Sequence, residues 1–250
     1  MMRLIIIAIV GPTATPLIRP RAILFDAGNT LVQMDYAAIA QYLAGRGRPA
    51  SAARVEEAEV WARVQLDRDL ASGASTESGD THGRYLRYVL SRLGITEEDE
   101  IDAIARWRRD YNHPVGLWNC AEPTAAGALG RVKAAGLIAG VISNSNGSVR
   151  SLLEDIGLAR HLDFIIDSAV VGVEKPDPRI FRLALEHAGV PAEAAVYVGD
   201  LYSVDVLGAR GAGLGAVLLD PLGYWGARDC PVARGLEEAI HLCLGGGPGL

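Results

Sequence analysis

Four short stretches of this 250-residue chain place chemically capable side chains beside turns. Ala22-Ile23-Leu24-Phe25 runs straight into Asp26, and Ala27-Gly28-Asn29-Thr30 follows. The apolar run from Leu137 to Ile142 meets Ser143-Asn144, and the run from Ala195 to Val198 meets Gly199-Asp200, with Asp205 a few residues on. Between them, Glu174-Lys175-Pro176-Asp177 leads into a helical pattern. Carboxylates brought face to face repel, so a buried pair needs a cation. An all-oxygen donor set without histidine or cysteine suits Mg²⁺. A small hydroxyl, a tight backbone turn and one lysine suit a phosphoryl group, supplying donors for its oxygens and an opposing charge. Lys133 and Lys175 are the only lysines among 24 cationic residues, which makes the placement of Lys175 informative.

Elements that could bring these residues together are legible in the hydrophobic pattern. Short apolar runs ending at turn residues read as buried strands, here at 22–25, 137–142, 164–166, 195–198 and 216–219. Helical patterns at 122–135, 148–156, 177–188, 204–210 and 236–244 alternate with the later strands. Strand and helix in alternation predict a parallel sheet covered by helices on both faces, with ligands bound at the carboxyl ends of its strands. From Asp35 to about Val115 the pattern is helical throughout: Tyr36 to Leu43, Ser51 to Leu70, Thr81 to Leu93 and Glu97 to Trp107. The expected architecture is an α/β core interrupted, after its first strand, by an all-helical insert.

These motifs resemble those of the haloacid dehalogenase (HAD) superfamily, in its phosphatase-like branch with a helical cap. Phe25-Asp26-Ala27-Gly28-Asn29-Thr30-Leu31 is similar to its first motif, Ile142-Ser143-Asn144 to its second, Glu174-Lys175-Pro176-Asp177-Pro178 to its third, and Val198-Gly199-Asp200 with Asp205 to its fourth. The resemblance implies a three-layer Rossmann-like α/β core at 20–33 and 116–244 and a helical cap at 34–115; the composition outside it reads as an N-terminal extension at 1–19 and a Gly-rich flexible tail at 245–250. It implies Asp26 as nucleophile forming an aspartyl-phosphate, with Ser143 and Lys175 holding the phosphoryl group. Asp26, Asp200 and the Gly28 carbonyl would hold Mg²⁺, with Asp205 in the metal site as an orienting group. Asn144, Thr30 and His82 are expected on the substrate side. One departure stands out: phosphatases of this kind carry a second aspartate, as general acid and base, where this chain has Gly28. His82 and Asp35, and then His113, are the candidates to replace it. A substrate with a good leaving group is another solution, and a weakly catalytic ligand-binding protein is a third. A metal-independent dehalogenase-type hydrolase is the competing chemistry, but it has no need of a carboxylate at Asp200.

Composition narrows the field. A net charge of −6 argues against a general nucleic-acid binder, which needs a basic face for phosphates. Three cysteines without a paired spacing provide neither a disulfide framework nor a zinc site, which fits a reducing cytoplasm. The apolar run from Leu4 to Val10 is shorter than the ~20 residues that span a bilayer, and it lacks a small-x-small cleavage pattern. Expected partners are therefore a small phosphorylated metabolite and neither nucleic acid nor membrane, with the chain a monomer or homodimer.

Overall fold

A computed structural model describes residues 20–111 and 116–245. Its centre is strand β1 (Ala22–Phe25), four fully buried apolar residues, as expected of a strand covered on both faces. Around it lie β4 (Ile138–Ser143), β5 (Phe164–Asp167), β6 (Ala195–Gly199), β7 (Gly215–Leu219) and β8 (Val232–Ala233). They form one parallel sheet in the order β5-β4-β1-β6-β7-β8. Side chains alternate between the faces. Ile23 and Phe25 pack with Leu129, Leu153 and Ile240, from α5 (Ala125–Ala134), α6 (Val149–Asp155) and α10 (Leu236–Cys243). Ala22 and Leu24 pack with Ile180, Phe181 and Ala209, from α8 (Pro178–Ala188) and α9 (Leu207–Gly211). The single turn α7 (Ser168–Val171) follows β5. This is the three-layer α/β arrangement anticipated from the pattern.

Between β1 and β4 the chain first forms β2 (Val32–Met34), then four helices, then β3 (Trp118–Ala121). The helices are α1 (Tyr36–Gly45), α2 (Ala52–Leu70), α3 (Gly79–Arg92) and α4 (Glu98–Tyr111). Side chains cap three of them, each accepting from a backbone N–H: Asp35 from Ala38, Ser51 from Arg54 and Ser78 from Thr81. Their apolar stripes meet in two clusters, one around Ala62, Leu66, Tyr85 and Val89, the other around Leu43, Val55, Leu90 and Ile104.

The β2–β3 ribbon and β8 were not expected. β2 and β3 pair antiparallel with a register shift at Gln33/Met34, and these short strands, β8 included, are too brief for an alternation to be read. The helix expected at 204–210 begins earlier, as a π-helical turn at Tyr202–Val206 that runs into α9. Among the described residues, no helix is long and apolar enough to cross a membrane. Residues 1–19 and 246–250, and His113 with its immediate neighbours, lie outside the described residues.

Candidate active site

Sheet register decides which residues meet. Phe25 pairs with Val141 of β4 on one side and Val198 of β6 on the other. Asp26, donating its N–H to Val198 O at 2.9 Å, therefore emerges between the ends of those strands, beside Ser143 and Asp200. The edge where neighbouring strands connect in opposite directions is where open α/β sheets bind ligands. A cavity of about 350 Å³ opens there, lined by Asp26, Gly28, Ser143, Asn144, Lys175 and Asp200 from the core. The helical insert adds Arg63, Thr76, Glu77, His82, Tyr85 and Arg108 to its walls.

Lys175 ties the floor together. Its Nζ donates to Asp26 Oδ1 at 2.7 Å, Asp205 Oδ1 at 2.8 Å and Tyr197 Oη at 2.8 Å, which uses all three of its donors. Tyr197 in turn donates to Ile142 O at 2.9 Å. Asn144 fixes the lysine's backbone from both sides, accepting from Lys175 N at 2.7 Å and donating to Lys175 O at 2.9 Å; it also donates to Thr76 of the insert. Asp205 Oδ2 accepts the N–H groups of Asp200 and Leu201. With both oxygens so engaged, Asp205 braces the lysine and the turn. That turn needs glycine at 199, because a Cβ there would lie 2.5 Å from Asp205 Cγ.

Arg63 of α2 reaches Asp200 Oδ2 through Nη1 at 2.9 Å and lies 2.9 Å, through Nε, from Glu59 Oε1. Glu59 has no solvent exposure and also accepts from Tyr85 Oη, Tyr36 Oη and Asn29 Nδ2. Burial alone would lower the Arg63 guanidinium, but Glu59 and Asp200 outweigh it and hold it above its usual range. In the same way, Asp205 and Asp26 overcome the burial of Lys175 and keep its ammonium charged. Burial pushes Asp26 up to about 8, against the pull of Lys175 and with the push of Asp205 and Asp200. Asp200 is raised as well, first by burial, although Arg63 opposes this.

The cluster is thus short of positive charge. Four buried carboxylates (Asp26, Glu59, Asp200 and Asp205) face two buried cations (Arg63 and Lys175). A divalent cation would balance the difference. Asp26, Asp200 and Asp205 present carboxylate oxygens within 4.8 Å of one another. Among the described residues, Asp26 Oδ2 and Asp200 Oδ1 accept no hydrogen bond, so the donors fit a hard metal ion.

Not every expected residue joins the site. Thr30 is fully buried and lies off the cavity wall, and its Oγ1 has no partner among the described residues; its N–H turns back to Ala27 O in the tight turn. Asp35 caps α1 and does not line the cavity. His82 does line it, from α3, with its imidazole pulled below the usual range by burial and by Arg108. Gly28 lies under the Trp118 indole, whose ring would be 3.5 Å from a Cβ at that position. Sequence reasoning missed Arg63, Glu59, Tyr197 and Trp118. Charged residues four apart on the buried side of α2 were the available signal for the first two.

The family model for haloacid dehalogenase-like hydrolases matches residues 20–213, and the chain belongs to that family of hydrolases. It is 31% identical over 207 residues to haloacid dehalogenase-like hydrolase domain-containing protein 3 of Danio rerio, covering 80% of this chain and 85% of that protein. It is 41% identical over 165 residues to a phosphoserine phosphatase of Thermus thermophilus, covering 64% of this chain and 62% of the relative. The fold is similar to that of a 2-haloacid dehalogenase from Pseudomonas syringae pv. Tomato, with a TM-score of 0.53 and 26% identity over 89% of this chain and 97% of that one.

Proposed function

We propose that the chain is a Mg²⁺-dependent phosphatase of small phosphorylated metabolites, with Asp26 as the nucleophile and the helical insert as a cap over the cavity. The observation that carries this reading is the buried cluster: Asp26, held by Lys175 beside Asp200, on the floor of the cavity, within a group short of positive charge. The phosphatase name of one relative agrees with it.

Lys175 fixes one oxygen of Asp26 and leaves the other to attack phosphorus. The bond from phosphorus to the leaving oxygen breaks, and water later cleaves the aspartyl-phosphate to restore the carboxylate. The Ser143 hydroxyl, at the end of β4, donates to a phosphoryl oxygen, while Asn144 holds the lysine loop in place. The carboxylates of Asp26 and Asp200 and the carbonyl of Gly28 would hold Mg²⁺. When bound, the ion screens the repulsion between carboxylate and phosphoryl group. Position 28 provides no acid for the leaving group, so esters with good leaving groups are favoured over alkyl phosphates. Phosphate release in Mg²⁺ tests the reading: Asp26→Asn should reduce it to background, and equal activity in both proteins would refute it.

The Arg63–Asp200 ion pair favours one other reading, in which an arginine takes the metal's place and Asp26 attacks a carbon–halogen bond. Halide release that persists in EDTA is the sign of that chemistry.

A further inference from the structure

Glu59 is a buried acid that the chemistry above does not use. It has no solvent exposure, and Tyr85, Tyr36 and Arg63 of the insert reach it at 2.6, 3.1 and 2.9 Å. One further donor comes from the core: Asn29 Nδ2 gives a hydrogen bond to Glu59 Oε1 at 3.1 Å. Asn29 follows Gly28 in the turn after the nucleophile. Among the described residues it is the only non-glycine with a positive φ, at 52°. Asparagine enters that left-handed region more readily than most residues, but the conformation still has to be held. Its Oδ1 is buried without a partner among the described residues, so the bond to Glu59 is the side chain's anchor. Within the turn, Ala27 O accepts the N–H groups of Thr30, Leu31 and Val32, whereas the Gly28 carbonyl accepts no hydrogen bond among the described residues. Glu59, Arg63 and Asp67 lie four apart on one buried stripe of α2. Arg63 meets Asp200, and Asp67 Oδ1 accepts from Ser203 N and Oγ, each at 2.7 Å. The stripe therefore lies on both turns that supply candidate metal donors.

We propose that Glu59 is a positioning residue for the metal site: by anchoring Asn29 it fixes the Gly28–Asn29 peptide, and with it the Gly28 carbonyl. The proposal rests on the Mg²⁺ reading above and adds to it a residue of the insert. Rotation about φ of Asn29 is the motion that would swing this peptide plane. A side chain tied to a buried carboxylate opposes that rotation. A carbonyl set in place beforehand binds an ion without first having to be ordered. Because Glu59 belongs to the insert and Asn29 to the core, the seated insert raises affinity for the ion, and the bound ion holds the insert by the same factor.

The test is calorimetric titration of the full chain with Mg²⁺ alone. Asn29→Gly changes no charge and suits a positive φ, so the variant should fold and lose only the tether. Its Mg²⁺ affinity should fall ~5–30-fold, the cost of ordering the backbone of one residue. Ser75→Ala removes a different insert–core hydrogen bond, to Glu174, and should leave the affinity within about twofold of wild type, well short of the ~5-fold lower limit for Asn29→Gly. The Asn29→Gly effect should persist in a Glu59→Gln background, which keeps an acceptor for the amide. In a Glu59→Leu background it should shrink to about threefold or less, since charge effects of the background cancel in the cycle. A fall below about fivefold in Asn29→Gly, an equal fall in Ser75→Ala, or a fall undiminished in Glu59→Leu overturns the proposal and leaves the phosphatase reading intact. If Glu59→Leu does not fold, Asn29→Gly against Ser75→Ala decides. A wild type that binds no Mg²⁺ overturns the proposal and the metal-dependent reading together.

Discussion

Replacing Arg63 by methionine keeps an unbranched apolar stem and removes the guanidinium and its charge. Two buried carboxylates then lose their guanidinium: Asp200 at Nη1 and Glu59 at Nε, each 2.9 Å away. Breaking a buried ion pair from one side costs about 3–5 kcal/mol, because the remaining charge is left without compensation. The two partners do not suffer equally. Glu59 keeps donors from Tyr36, Tyr85 and Asn29, whereas Asp200 Oδ2 has no other side-chain donor among the described residues. The lower end of the range, about 3 kcal/mol, is therefore expected, or a fall of about 6–12 °C in Tm for a chain of this size. Thermal unfolding followed by circular dichroism in EDTA measures it. Adding Mg²⁺ should recover more stability in the variant than in the wild type, since the cluster has become more negative and ligand binding to the native state stabilises it. A double-mutant cycle with Asp200→Asn should show a coupling above about 1 kcal/mol. A loss under 1 kcal/mol, or a cycle with no coupling, would refute the claim that this pair ties insert to core.

Three more outcomes are open to measurement. Tyr197→Phe removes a buried acceptor for Lys175 Nζ and a donor to Ile142 O, and should cost about 1–3 kcal/mol in urea unfolding; an unchanged midpoint would count against the lysine network. Gly28→Asp places its Cβ at ordinary contact distance from Trp118, so the variant should fold and hydrolyse alkyl phosphates up to about 10²-fold faster; an unaltered rate would show that the absent acid does not limit turnover. Burial pushes the Cys243 thiol up to about 12, so the unfolded state ionises first. Stability should fall by about 1.4 kcal/mol per pH unit above pH 9, up to the folded value, and Cys243→Val should remove that part of the slope in urea midpoints at pH 9 and 10.

The catalytic edge was legible because its members are local signals. Asp26, Ser143 and Asp200 each end a short apolar run, and Lys175 stands out in an arginine-rich chain. Parallel topology does the rest, since it places every strand's carboxyl end on one side. Residues that act across the insert–core boundary carry a weaker signal, a pair of opposite charges four apart on α2. Arg63 and Glu59 read as the polar positions of an amphipathic helix until α2 is laid over Asp200. Tyr197 is one aromatic in an apolar strand until the sheet order sets β6 across β1 from β4, where its hydroxyl reaches Ile142 O and the Lys175 ammonium. Thr30 and Asp35 came from the family resemblance and from the insert's place beside the site, with no strand-end signal behind them; the first lies buried off the cavity wall and the second caps α1.

The glycine before Asp200 has a consequence for how such a sequence can drift. Any side chain at 199 would occupy the space of the Asp205 carboxyl group, whose two oxygens hold a lysine and two backbone amides. A side chain at 199 is compatible with the fold only when residue 205 becomes smaller at the same time, and that exchange would also release Lys175 from its brace. A change at 199 would therefore loosen the lysine that holds the nucleophile without touching Asp26 itself.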